Sequence, residues 1–197
     1  MQSTRSGLHE NGWMSGEVWL VVGVQASGKS VVADRLAREF DRAVHIRGGQ
    51  FYRWAVQGWV HHDDDRQPEA RRLLDLRYRL SAKVADEYCS EGFVAVVQDN
   101  IYGEDVVTWL HNVAARPRHL VVLRPSIDVV RQRDEARRLS TGKVAYREGG
   151  DSIESLDALL GTTAKVGLWL DTSNQTPEET VAEIVRRRSE AEVDGFT

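Results

Sequence analysis

Short apolar runs, each ending in a glycine-rich or polar turn, alternate along this chain with longer segments whose apolar positions recur at helical spacing. The first run, Glu17-Val18-Trp19-Leu20-Val21-Val22, is β-branched and aromatic and reads as a buried strand. From Lys29 to about Phe40 the apolar residues Val31, Val32, Leu36, Ala37 and Phe40 follow a helical period. Residues 43–46 form a second short strand, ended by Arg47-Gly48-Gly49, and a helix starts near Gln50. A polar loop over residues 61–68 precedes a long helix from about Glu69 to Ser90.

The pattern then repeats. Residues 93–97 are continuously apolar and end in Gln98-Asp99-Asn100; residues 104–112 read as a helix and residues 119–123 as a fourth strand. A charged helix follows from Ser126, its cap, to about Leu139, and residues 167–170 give a fifth strand. The last helix opens at Thr176-Pro177-Glu178-Glu179, with proline at the first helical position and a capping-box glutamate, ahead of Val181, Ile184 and Val185. Alternating strands and helices predict an α/β domain, with a parallel sheet covered on both faces and right-handed crossovers.

At 197 residues the chain is expected to form one domain, spanning 17–197, behind a flexible N-terminal arm over 1–16 that carries no continuous apolar signal segment. No apolar run approaches the roughly 20 residues of a membrane span. A net charge of -4 argues against nucleic acid as a partner. The single cysteine, Cys89, falls in an apolar helical pattern and fits burial in a reducing cytoplasm, where the chain is expected to reside.

Between the first strand and its helix lies Gly23-Val24-Gln25-Ala26-Ser27-Gly28-Lys29-Ser30, the spacing of a phosphate-binding P-loop. Glycines 23 and 28 let the backbone wrap closely, so that successive amides from Gln25 to Val31 and the helix N-terminus meet phosphate oxygens. Lys29 adds a mobile charge, and the Ser30 hydroxyl is placed to coordinate Mg²⁺. An accidental match of common residues is the alternative, and the strand before and helix after argue against it. The chain has no Asn-Lys-x-Asp guanine-reading motif, so ATP is the expected nucleotide.

Asp99, ending an apolar strand, is placed to hold Mg²⁺ through water or to accept a proton; a turn or capping aspartate is the bland alternative. Arg131, Arg133, Arg137 and Arg138 cluster near the end of the fourth crossover helix, with Lys143 and Arg147 beyond. Several of them could simply pair with Asp128, Asp134 or Glu135. Arg133 and Arg137, four apart, share a helix face and suit a lid over about residues 134–160, one facing the base and the other the transferred phosphoryl group. Gly142 and Gly149-Gly150 are candidate hinges. On the acceptor side, Arg47, Gln50, Arg53 and Arg77 are candidate substrate contacts, with surface salt bridging the alternative for the arginines. Phe51, Tyr52, Trp54 and Trp59 could line a ring-binding pocket or belong to the core. His61-His62-Asp63 resembles a metal cluster only superficially.

The P-loop, the strand-three aspartate and the arginine pair together resemble small P-loop kinases, above all the chloramphenicol-phosphotransferase-like, AAA-type group, over about residues 18–186. Arg133-Asp134-Glu135-Ala136-Arg137 looks like that group's lid entry, and Asp171-Thr172-Ser173 resembles the final strand-to-helix turn, which brings Ser173 toward adenine. The resemblance implies a three-layer fold with a five-stranded parallel sheet ordered 2-3-1-4-5, Mg·ATP as donor, and an acceptor cleft beneath a helical lid. It assigns Lys29, Asp99 and Arg137 to catalysis. One departure stands out: such kinases commonly carry an aspartate as Arg-Gly-Asp after strand two, and here Gly49 occupies that place. The general base then falls to Asp99 or to one of Asp63, Asp64 and Asp65. Three functions remain open at this stage: a small-molecule O-phosphotransferase acting on a metabolite or antibiotic hydroxyl, a nucleoside or nucleotide kinase, and an ATP-binding regulator with weak catalysis.

Overall fold

The computed structural model describes residues 16–60, 67–142, 145–146 and 150–195. Five strands run in chain order: β1 (Val18–Gly23), β2 (Ala43–Arg47), β3 (Val94–Asp99), β4 (Arg118–Leu123) and β5 (Leu168–Leu170). They make one sheet ordered β2-β3-β1-β4-β5 in which every pairing is parallel, as the family resemblance implies. Eight helices are seen among the described residues: α1 (Lys29–Ala37), α2 (Gly49–Arg53), α3 (Gln67–Ser90), α4 (Glu104–Asn112), α5 (Ile127–Thr141), α6 (Ile153–Gly161), α7 (Pro177–Arg186) and α8 (Arg188–Ala191).

The continuous apolar runs are explained by burial on both faces of the sheet. In β1, Val18, Leu20 and Val22 point into one core with α3, α4 and α6, while Trp19 and Val21 point into the other with α1 and α7. All six β1 residues are buried. Cys89 closes the back of α3, buried, with its thiol pushed up to about 12 by desolvation.

Local signals set the helix starts. Thr176 accepts from the Glu179 amide while the Glu179 carboxylate accepts from the Thr176 amide, the capping box expected from the sequence. Ser126 caps α5 through the Val129 amide.

The expected lid of about residues 134–160 needs correction. α5 runs on to Thr141 and ends at Gly142, whose φ of 68° is a glycine conformation, and Ser152 caps a further helix, α6. Ile153, Leu156 and Leu160 of α6 are buried in the same core as β1 and β4. Spacings of three and four residues place these side chains on one apolar face, so α6, inside the expected lid, packs into the domain body. Lys143, Arg147 and Gly149, as well as the arm over 1–15 and the loop carrying His61, His62, Asp63, Asp64 and Asp65, lie outside the described residues. Among the described residues no helix is long and apolar enough to cross a membrane.

Candidate functional site

β1 sits in the middle of the sheet with β3 on one side and β4 on the other, so the chain reverses its winding direction there and leaves a crevice at the carboxyl ends of the strands. A cleft of about 510 Å³ opens at this place. Gln25, Ala26, Gly28, Lys29, Ser30, Val31, Arg53, Arg77, Asp99, Arg133 and Arg137, eleven residues named from sequence, all line it. Gly49, Tyr52, Gln98 and Asn100 complete the wall.

The P-loop holds a shape that costs backbone freedom. Gly23 leaves β1 so close to β4 that a Cβ would meet the Leu123 carbonyl oxygen at 2.5 Å. Ala26 adopts a φ of 61°, the left-handed region that an alanine visits only where the surroundings enforce it. The Ser27 amide donates to the Val24 carbonyl at 3.2 Å, closing the turn. Gly28 is the N-cap of α1 and supplies no capping side chain, which leaves first-turn amides and the positive end of the helix available to an anion.

Lys29 is 6% exposed and its ammonium donates to the Val24 carbonyl at 2.6 Å. Burial pulls its pKa down to about 7, against the attraction of Asp99 and with help from the positive charges of Arg137 and Arg77. The Ser30 hydroxyl meets the side-chain oxygen of Gln98 at 3.2 Å. Hydroxyl and amide oxygens side by side form an all-oxygen pair that suits a hard ion such as Mg²⁺. Gln98 was missed as a site residue because an amide carries no motif of its own.

Asp99 reaches the cleft, but not as a free carboxylate. Arg77 grips it in a bidentate pair, the Nε donating to Oδ2 at 2.9 Å and the NH2 group to Oδ1, and the Asn100 amide adds a third bond at 2.7 Å. The side chains are 10% and 2% exposed. A carboxylate offers about four lone-pair sites, so one remains. The turn into α2 presses on this pair: a Cβ on Gly48 would lie 1.9 Å from the Asp99 Oδ2. Arg77, expected as an open substrate clamp, is therefore largely committed to Asp99, and its guanidinium also lies 5.7 Å from the centre of the Tyr52 ring. By contrast a Cβ on Gly49 would meet only Tyr52 among the described residues, at 3.6 Å.

The arginines of α5 divide. Arg131, Arg137 and Arg138 pair with Asp128, Asp134 and Glu135, each three positions away, the solvated-helix alternative weighed from sequence. Arg137 nevertheless lines the cleft, with its Nε buried and unpartnered. Arg133 ignores the carboxylates and donates to the carbonyls of Ser27 at 3.1 Å and Thr172 at 2.8 Å, tying the P-loop to the turn after β5. Ser173 in that turn binds Asp171 and the Ser126 amide and does not line the cleft; nor do Gly23, Ser27, Arg47 or Gln50. Two further tyrosines brace the loop from outside: Tyr146 donates to the Gln25 carbonyl at 2.8 Å and Tyr102 to that of Gly23 at 3.4 Å. Of the aromatics, Tyr52 lines the cleft and packs on Trp59 with centroids 5.6 Å apart, Phe51 is buried in the core, and Trp54 is exposed. No cluster of His, Cys, Asp and Glu among the described residues could hold a metal.

Residues 18–152, from β1 to the cap of α6, match the AAA domain family. The chain belongs to this family. No curated protein matches it. Solved structures of the same fold include an APS kinase of Mycobacterium tuberculosis in complex with AMPPNP and APS, 16% identical, with a TM-score of 0.61 over 87% of this chain and 96% of that one. A sugar kinase from Janibacter sp. HTCC2649 is 18% identical with a TM-score of 0.60, covering 89% and 95% of the two chains. A gluconokinase from Sinorhizobium meliloti 1021 is 19% identical with a TM-score of 0.56, covering 89% and 94%. At these identities the likeness establishes the shared fold, that of small P-loop kinases.

Proposed function

We propose that the chain is an ATP-dependent phosphotransferase that moves the γ-phosphoryl group to a hydroxyl of a small molecule. The observation that carries this reading is the shared cleft: Lys29 and the P-loop residues Gln25, Ala26, Gly28 and Ser30 line the same cavity as Tyr52, Arg53, Arg77 and Gly49. A donor and a small acceptor held there lie side by side, and holding reactants together accounts for much of the catalysis of this reaction type. The oxygen of the acceptor hydroxyl bonds to the γ-phosphorus as the bond from that phosphorus to the bridging oxygen breaks, and ADP leaves with the electron pair. The hydroxyl proton passes to the one open lone pair of Asp99 or to water; in a loose transition state the proton leaves late, which fits a site whose one lining carboxylate among the described residues is largely occupied.

Ser30 and Gln98 would hold Mg²⁺, which when bound neutralises charge between the β- and γ-phosphates. Lys29 exchanges the Val24 carbonyl for phosphate oxygen. Arg137, whose unpartnered Nε borders the cleft, stabilises charge on the phosphoryl group in transfer, and Arg133 holds the loop in register.

The test is ADP release with and without a panel of hydroxylated acceptors. Acceptor-stimulated release supports transfer. Tight Mg·ATP binding with no stimulation by any acceptor would favour the regulator reading, to which the Arg77–Asp99 pair and Gly49 give their only support.

A further inference from the structure

The charges of the cleft do not balance. Among the described residues five cations line it, Lys29, Arg53, Arg77, Arg133 and Arg137, against one carboxylate, Asp99. Arg77 consumes that carboxylate and Asp134 takes Arg137. Lys29 and Arg133 touch the P-loop and serve the donor side. Arg53 stands apart: it is exposed, has no carboxylate partner among the described residues, and its one recorded contact is the face of Tyr52 at 5.9 Å. Arg77 lies on the same ring at 5.7 Å, so two guanidiniums flank one aromatic on the acceptor wall.

A neutral polyol is recognised through groups that accept its hydroxyl protons. Among the described residues the acceptor wall joins two guanidiniums, which only donate, to the Tyr52 hydroxyl and the Asn100 amide, and Gly49 brings no side chain at all. Resting on the phosphotransferase reading, we infer that the acceptor is a small hydroxylated acid whose carboxylate or phosphate monoester is held by Arg53, with Arg77 behind it, on the face of Tyr52. Arg guanidinium matches both anions with paired donors, and the neighbouring ring keeps the fork oriented. Gly49 fits the same picture, because a carboxylate there would stand beside Tyr52 and repel the incoming anion.

The experiment has two arms. In the first, protein saturated with Mg·AMPPNP is titrated with inorganic phosphate by calorimetry. Phosphate should bind, and Arg53→Gln and Gly49→Asp should each weaken it at least tenfold while AMPPNP affinity holds; both positions have room for the change. In the second, ADP release is compared for matched pairs of a neutral polyol and its carboxylate or phosphate derivative. Turnover confined to the acidic members, with a KM raised at least tenfold by Arg53→Gln, supports the inference. Equal or better turnover of the neutral members overturns it and leaves the phosphotransferase standing. If no acceptor turns over, the phosphotransferase reading fails, and the first arm still decides the anion site: phosphate binding insensitive to Arg53 and Gly49 overturns it.

Discussion

The donor half of the cleft is built mainly on one contiguous loop, Gly23 to Ser30, with arginines of α5 added, whereas the acceptor half is assembled from the turn into α2, the middle of α3 and the end of β3. Backbone shape and a helix end define the first, with Ala26 at φ 61° and Gly28 at φ 101° both at positive φ. A buried ion pair defines the second, with Gly48 wedged against it. Contiguous backbone tolerates side-chain change nearby, while an ion pair drawn from residues 22 apart fails as a unit when either member is removed. The two halves should therefore break in different ways, one losing function with the fold intact and the other losing both.

The largest effect is expected on the acceptor side. Asp99→Ala leaves the Arg77 guanidinium buried and uncompensated, which costs about 3–5 kcal/mol of stability. Chemical denaturation should show a lower midpoint at unchanged slope. Removing both charges in Arg77→Met with Asp99→Ala should recover most of that stability without restoring turnover. A double variant no more stable than the single would mean that the unpaired Arg77 charge is not what destabilises Asp99→Ala.

Lys29→Met tests the opposite half. It removes a desolvated ammonium whose partner is a single carbonyl, so the midpoint should hold or rise. Turnover should fall by about 10²–10³-fold, the usual loss when a positioned stabiliser of transition-state charge is deleted. Parallel steady-state kinetics and denaturation on the same preparation separate the two outcomes.

This contrast also explains what could be read in advance. The P-loop, the strand order implied by family resemblance, and the Thr176–Glu179 box are local patterns, and each is present in the structure. The pairing of Arg131, Arg137 and Arg138 with acids three positions away was weighed for the same reason. The grip of Arg77 on Asp99 was out of reach, because no periodicity links a mid-helix arginine to a strand end. Tyr146, 121 residues from the Gln25 carbonyl it meets, left still less trace. The missed helix α6 is a different case: Ser152, Ile153, Leu156 and Leu160 carried a cap and an apolar face, but a lid had been assigned to that span.

Arg133 joins the comparison, since it ties the donor loop to the turn after β5 without touching the acceptor wall. Arg133→Ala removes two charged-donor hydrogen bonds from a half-buried site. The expected loss is about 1–3 kcal/mol of nucleotide affinity, read as a weaker Kd for Mg·AMPPNP, with the KM for acceptor changed less than twofold. An equal loss on both sides would mean that the halves are mechanically joined through α5.

The smallest effect is a slope against pH, and it belongs to the donor half alone. In the nucleotide-free protein burial holds Lys29 at about 7, so above that pH its ammonium is progressively lost. A bound triphosphate places negative charge on the same nitrogen and raises its pKa, so between the free and bound values binding must take up a proton. Affinity for Mg·AMPPNP should thus be level below pH 7 and fall as pH rises beyond it, approaching about tenfold per unit, or 1.4 kcal/mol. Calorimetry at pH 8 in two buffers of different ionisation enthalpy reads the uptake directly, and Lys29→Met should abolish it. Phosphate binding at Arg53 should not fall over the same range, because a guanidinium stays charged throughout and phosphate itself gains negative charge as pH rises. A matching slope on the acceptor side would place Lys29 in both halves and erase the division between them.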